Sequence, residues 1–223
     1  MFDAIVPTYD LLNRVMSLGM DGAWRKKALR VCLRDDPKNV IDLGTGTGDL
    51  ALMLEELAPP GVNVFGADFS ILMLRQARDR SKRNGMSLKL AAADAVTLPF
   101  APGSVDAVVT AFTLRNVPDL SGALIAAARV LRPRGRLVVL DMTPVGSGPL
   151  GRLFRLYFHS VVPLIGRLVS RHPFAYEYLP RSVDAFPPAP EFADLITKSG
   201  FEDVTYSKLD MGSIALHTGI KQA

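Results

Sequence analysis

One cysteine, Cys32, stands in a chain of 223 residues, which excludes an internal disulfide framework and any multi-cysteine zinc site. Its place in the apolar helical stretch 29–33 marks it as a core residue. Histidine is nearly as scarce. His159, His172 and His217 have no partners at metal-ligand spacing, so no metal is expected. Long hydrophobic runs are missing too: the longest uncharged apolar run toward the C-terminal half, 156–166, is too short to cross a bilayer. The opening Met1-Phe2-Asp3 lacks the basic and apolar regions of a signal peptide, and a cytoplasmic protein is the expectation. Lysine is absent from residues 122–182, which carry nine arginines against two acids, Asp141 and Glu177. No stacking pattern or recognition helix accompanies these arginines, which disfavours nucleic acid. Their neighbours include Leu153, Phe154, Tyr157, Phe158, Val161 and Ile165. That mixture suits contact with the inner membrane surface, a lipid-binding crevice, or a core or homodimer-packing helix with a basic edge.

What is present is a globular composition, 48% hydrophobic and 22% charged, with length enough for a full core. Its most informative stretch is Asp42-Leu43-Gly44-Thr45-Gly46-Thr47-Gly48-Asp49, set between the apolar run Val40-Ile41 and the helical pattern Leu50 to Leu54. A strand, a glycine-rich turn and a helix N-terminus let a nucleotide-bearing cofactor approach bare backbone. A dinucleotide site wants G-x-G-x-x-G, facing a pyrophosphate. Here the glycines alternate as G-x-G-x-G directly after an acid. That suits a cofactor without phosphate whose charged amino acid end Asp42 and the loop amides can hold, and S-adenosylmethionine is such a cofactor. The plain alternative is an ordinary glycine turn.

The spacing predicts helices over about 9–17 and 21–33, then strands at 39–43, 62–68, 88–92, 105–111 and 137–140 alternating with helices at 48–58, 71–84 and 119–131. Such alternation implies a parallel sheet covered on both faces. After Thr143 the rhythm changes to inserted helices, about 149–170 and 174–185, then a helix at 189–199 and two strands, 203–208 and 213–220, whose short connection fits an antiparallel hairpin. This resembles the class I methyltransferase layout: an α/β, Rossmann-like three-layer sandwich with a mostly parallel seven-stranded sheet. One domain is expected, with N-terminal helices over the cofactor (1–35), a cofactor core (36–143), a helical lid (144–188) and the terminal helix and hairpin (189–223). Asp68 ends the second strand, where an acid accepts hydrogen bonds from ribose hydroxyls or caps a helix. Asp94-Ala95 follows the third, where they can read an adenine edge or form an Asx-turn.

Three further segments carry a family resemblance over essentially the whole chain. Met1-Phe2-Asp3-Ala4-Ile5-Val6-Pro7-Thr8-Tyr9-Asp10-Leu11-Leu12-Asn13-Arg14, Ala111-Phe112-Thr113-Leu114-Arg115-Asn116-Val117 and Ser213-Ile214-Ala215-Leu216-His217 resemble signatures of the ubiquinone/menaquinone-biosynthesis C-methyltransferases. The resemblance implies transfer of a methyl group from S-adenosylmethionine to a ring carbon of a polyprenylated lipid quinol. It also implies cofactor contacts from Thr47, Asp68, Asp94, Ala95 and Ala111, alongside the loop residues Gly44, Thr45, Gly46 and Gly48 and, next to Asp68, Phe69. The chain departs from the pattern at Thr113, where the family usually has glycine, at Asp141-Met142-Thr143 in place of Glu-Phe-Ser, and at Asp210-Met211-Gly212-Ser213 in place of Thr-Gly-Gly-Ile. It also opens at the signature itself, where relatives usually carry a short leader.

A quinol carbon becomes nucleophilic when an adjacent hydroxyl loses its proton, so the site must hold a phenolate-like charge and align the carbon with the methyl donor. Arg115 is the expected charge partner, a poor base but a good oxyanion stabiliser. A salt bridge fixing the lid is its structural alternative. Proton removal falls to His217, Tyr9, Tyr178 or water, and Tyr9, Asn13 and Asn116 are expected at the quinol. The Asn/Asp-Pro-Pro-Tyr/Phe tetrapeptide and Pro-Cys nucleophile of nucleic-acid methyltransferases are absent. An O- or N-methyltransferase of another small molecule, or a non-catalytic subunit of the same fold, are the rival readings.

Overall fold

The computed structural model describes residues 17, 19–146, 148 and 174–223, with the side chains of the last stretch from 180 onward. Helix α1 (Asp21–Cys32) turns Ala28, Leu29 and Cys32 inward, with an acid in its first turn and a base in its last. Strand β1 (Asn39–Leu43) has four of its five residues buried. The glycine loop follows, and Gly48, at φ 89°, caps α2 (Asp49–Leu57) from a left-handed conformation that bulkier residues resist. Strand β2 (Asn63–Asp68) leads to Ser70, whose hydroxyl accepts the Met73 N–H and starts α3 (Ile71–Arg83). Strands β3 (Lys89–Ala92) and β4 (Val105–Ala111) come next, then a single 3₁₀ turn, Leu114–Asn116. Asp119 caps α4 (Leu120–Val130) by accepting the Gly122 N–H at 2.8 Å. Strand β5 (Leu131–Met142), α5 (Phe174–Ala185), α6 (Ala189–Lys198), β6 (Phe201–Leu209) and β7 (Ile214–Lys221) complete the described chain.

The strands form one seven-stranded sheet in the order β3-β2-β1-β4-β5-β7-β6. Strands β1 to β5 pair in parallel, whereas β7 runs antiparallel between β5 and β6. Alternation along the strands feeds two cores. Val40, Val138 and Leu140 pack with Leu29, Cys32 and Leu54 of α1 and α2. Ile41, Leu137 and Val139 pack with Leu124 and Ala127 of α4 and Phe192 and Ile196 of α6. The expected three-layer sandwich, with its mostly parallel sheet and terminal hairpin, is therefore what the chain forms.

Two element boundaries differ from the sequence pattern for a physical reason. The expected strand 137–140 is the inner part of a longer β5. Leu131 already pairs with Val105, and the register then jumps to Arg136 opposite Ala107, so residues 132–135, including Pro133, form an irregularity within the strand. The expected strand 203–208 extends at both ends through a similar irregularity between Glu202 and Thr205. The predicted helix at 149–170, and all but residue 17 of the one at 9–17, lie outside the described residues, as do Tyr9, Asn13, His159 and His172. Of the helical insertion, α5 matches the expected 174–185.

Candidate active site

Because β1 to β4 run parallel, their C-terminal ends present four loops to one side of the sheet, and a cavity of about 710 Å³ opens among them. That volume falls within the roughly 300–1,000 Å³ typical of small-molecule sites. Gly44 and Gly46 line it from the first loop, Asp68 to Met73 from the second, Asp94 and Ala95 from the third, and Phe112, Thr113 and Asn116 from the fourth.

The first loop is held by the second. Gly44 and Thr45 donate their N–H groups to the Ala67 carbonyl at 2.7 and 3.0 Å. Asp68 accepts from Gly46 N–H on Oδ2 and from Ser70 N–H on Oδ1, each at 2.8 Å, so one carboxylate fixes two loops while facing the cavity. Behind them Arg80 of α3 donates from Nη1 to the Thr47 carbonyl and hydroxyl at 3.1 and 3.0 Å, and from Nη2 to Asp49 at 2.5 Å. Arg25 of α1 pairs with Asp21 and lies 3.9 Å from the other Asp49 oxygen.

Asp42 is 1% exposed. Its Oδ2 accepts the Thr45 hydroxyl at 2.7 Å, while Oδ1 is buried with no hydrogen-bond partner among the described residues. Burial pushes its carboxyl up to about 7, with the like charge of Asp68 adding to the effect and the Thr45 hydrogen bond, Arg25 and the Ala51 backbone N–H opposing it. A buried carboxylate oxygen with nothing to accept from is costly on its own and is satisfied by a ligand that brings a cation or donors. Gly46 has open space where a side chain would stand, so the loop leaves room for that ligand. The donor set thus fits the amino acid and nucleoside ends of S-adenosylmethionine.

The remaining expected residues fall on both sides of the cavity wall. Phe69 lines the rim and is 79% exposed. Asp94 faces the cavity and also forms the Asx-turn, accepting the Val96 N–H at 3.1 Å. Asp42, Thr45, Thr47, Gly48 and Ala111 are not among the residues that line the cavity. Asn116 lines the cavity and donates to the Phe112 carbonyl at 3.3 Å.

Arg115 is placed differently from the expectation of a cation facing the substrate. Its Nη1 meets Asp141 of β5 at 2.6 Å, with the side chains only 7% and 3% exposed, and it is not part of the cavity lining. Among the described residues its ion-pair partner is therefore a strand residue, and Arg115 Nε remains buried without a partner among them. His217 requires a correction. The antiparallel pairing of β7 turns its ring into the core, 1% exposed, where Nε2–H donates to the Ala189 carbonyl at 2.9 Å and the ring packs on Phe192 and Tyr206. Burial lowers its pKa below 6.5, and it does not reach the cleft. Tyr178 belongs to α5, and its side chain lies outside the described residues.

Sequence reasoning missed the supports. Arg25 and Arg80 come from helices whose pattern carries no signal for a distant loop contact. Phe112 was quoted in a motif but given no role. It takes a left-handed backbone, φ 60°, anchored by its N–H to the Leu140 carbonyl at 2.8 Å, with Arg25 and Arg115 within 5.4 and 5.8 Å of its ring.

Among known proteins, the ubiE/COQ5 methyltransferase family model matches residues 1–221. The chain is 47% identical to the demethylmenaquinone methyltransferase of Thermus thermophilus over 98% of this chain and 99% of that one. It is 44% identical to the Deinococcus radiodurans protein of the same name over 100% and 91%. It is also 40% identical to the ubiquinone/menaquinone biosynthesis C-methyltransferase UbiE of Desulfotalea psychrophila, over 99% and 89%. Similar solved structures include a [4+2]-cyclase, SpnF, at TM-score 0.71 and 16% identity, covering 92% of this chain and 83% of that one. Another is a possible histamine N-methyltransferase of Thermotoga maritima, at TM-score 0.67 and 21% identity over 100% of both chains. These two carry different chemistry on one fold, so they speak to architecture alone.

Proposed function

On the premise that the chain belongs to the ubiE/COQ5 methyltransferase family, whose cofactor is S-adenosylmethionine, we propose that it methylates a ring carbon of a polyprenylated quinol, demethylmenaquinol first. The observation that carries the reading is the cleft itself: an open glycine loop with Asp68 and Asp94 in its lining and an apolar mouth at Phe69, Ile71 and Leu72, next to a buried Asp42 that stands outside the lining. When bound, S-adenosylmethionine supplies an electrophilic sulfonium methyl group. Asp42 holds the cofactor's cationic amino acid end, and Asp68 accepts from its ribose hydroxyls. Asp94 and the Ala95 amide read its adenine edge beside Phe69. Asn116 presents an amide to a quinol oxygen, and Phe112 closes the wall.

Arg115 favours the charge that develops on the quinol oxygen through space, from behind the cavity lining and offset by its Asp141 partner, not by direct contact. With His217 held in the core, the quinol proton passes to water or to Tyr9 or Tyr178. The reaction is tested by methyl-transfer assays with demethylmenaquinol and with a methoxy-polyprenyl benzoquinol under reducing conditions. Transfer to the first supports the reading; a cofactor-bound enzyme that methylates neither overturns it.

Arg115→Ala is expected to abolish turnover while cofactor binding survives. It also strands a buried Asp141, at about 3–5 kcal/mol of stability. The double variant Arg115→Gln with Asp141→Asn removes both charges, so it should regain stability but not turnover. Near-normal turnover in that double variant removes Arg115 from the oxyanion role. A lipid acceptor also requires access to a bilayer. Among the described residues no helix is long and apolar enough to cross one, and we propose that the enzyme meets its acceptor at the membrane surface.

A further inference from the structure

Helix α3 shows two different faces. Met73, Leu74, Ala77 and Ser81 are buried against the sheet, and Arg80 reaches back to the glycine loop. The outer face has an unusual composition. Phe69, just before the helix, is 79% exposed, Ile71 59% and Leu72 45%. Large apolar side chains this exposed, gathered within four residues, mark a surface that meets something other than water. Toward the C-terminal end the same face becomes basic. Residues 71, 75, 78 and 82 follow one another at helical spacing of four, three and four, so Ile71, Arg75, Arg78 and Lys82 form one stripe. Arg83 adds a flanking cation, and Asp79 is the one acid on the exposed side. Arg75, Arg78 and Lys82 make no ion pair among the described residues.

We infer that the outer face of α3 docks on an anionic lipid bilayer, with Ile71 and Leu72 entering the headgroup–acyl boundary and Arg75, Arg78, Lys82 and Arg83 lying over acidic headgroups. Charge complementarity selects this occupant: unpaired cations beside protruding apolar side chains are the composition of an interfacial helix. A nucleic acid would use the cations but leave the apolar tip in water. Position supports the choice too, because Ile71 and Leu72 are also at the lip of the cavity. Docking there sets the cleft mouth against the acyl region, so a long-tailed quinol slides from bilayer to ring site without crossing water. The consequence for turnover rests on the lipid-quinol reading above, whereas the docking itself does not.

The experiment uses the full chain with vesicles of phosphatidylcholine alone or mixed with phosphatidylglycerol, read by flotation without any quinol. Binding is expected only to the anionic vesicles and should weaken with salt. The triple variant Arg75→Glu, Arg78→Glu, Lys82→Glu should keep its fold and cofactor affinity but lose about a hundredfold or more in partition. A Leu72→Trp probe should blue-shift its emission on adding anionic vesicles. Equal binding to both vesicle types, unchanged partition in the triple variant or an unmoved probe each overturns the proposal. So does charge-dependent capture on polyglutamate without vesicle binding, which assigns the face to an acidic protein. Failure of the acceptor reading appears separately, as absent methyl transfer to a short-tailed soluble quinol that needs no membrane.

Discussion

At Gly44 two constraints meet in one residue. Its φ is 73°, and a methyl group there would run into the Thr113 side chain, whose hydroxyl donates to the Gly44 carbonyl at 3.2 Å. The sequence marks Thr113 only as a departure from the family's glycine, whereas the structure puts its side chain across the glycine loop. Gly44→Ala should therefore cost about 1–2 kcal/mol for the backbone and about 1–3 for overpacking. Thr113→Gly in the same chain should return the second part but not the first. Denaturant unfolding of the two singles and the double measures this, and strict additivity would show that Thr113 is not the obstacle. His217 gives a second prediction of this size. Its folded-state pKa lies below 6.5, so the unfolded chain takes up the proton first. Its contribution is full above about 6.5 and is lost as pH falls below that value. His217→Gln keeps a donor for the Ala189 carbonyl and should flatten the loss of thermal stability between about pH 7 and pH 5. An equally steep loss in the variant would assign the acid sensitivity to other groups.

At the scale of elements, α3 links the cofactor loop to the surface. Arg80 is a positioning residue, holding Thr47 and Asp49 from behind. Arg80→Met should weaken cofactor binding by about tenfold, the loss of one or two charge-assisted hydrogen bonds, while turnover at saturating cofactor changes little. Calorimetric titration beside steady-state rates separates these quantities, and a fall in turnover with unchanged affinity would contradict the role. The regular parts of these elements were legible: apolar runs between turn residues give β1, β2 and β4 to within a residue. What was not legible is whatever depends on distant partners. Pro133 and its basic neighbours look like a break, yet β4 offers Val105 to Leu131 and the strand starts early. Nothing local in α3 says that Arg80 points inward while Arg75, Arg78 and Lys82 point out. Likewise, the glycine spacing announced a cofactor loop, but the burial of Arg115 with Asp141 depends on β4 and β5 being neighbours.

Over the whole molecule, the parallel order β3-β2-β1-β4 gathers Asp42, Asp68 and Asp94 at one end of the sheet, and the interior then sets the protonation of the first. The Asp42 carboxyl sits at about 7 in the folded chain against 3.8 for a free aspartate. Without ligand, the stability tied to its neutral form is full below 3.8 and is lost as pH rises through about 7. A cationic ligand reverses the balance by favouring the carboxylate, so cofactor binding near neutral pH should expel a proton from Asp42. The wild-type binding enthalpy should then vary with the ionisation enthalpy of the buffer at about pH 7, and the thermal shift on adding cofactor should grow from about pH 6 to pH 7.5. Asp42→Asn keeps the shape and removes the titration, so it should bind more weakly and lose the part of the buffer dependence due to this residue. The comparison with that variant isolates Asp42 from protons exchanged by the cofactor's own amino group. Identical buffer dependence in both proteins would mean that Asp42 is already ionised in the free enzyme, and its unpartnered oxygen would then need another explanation.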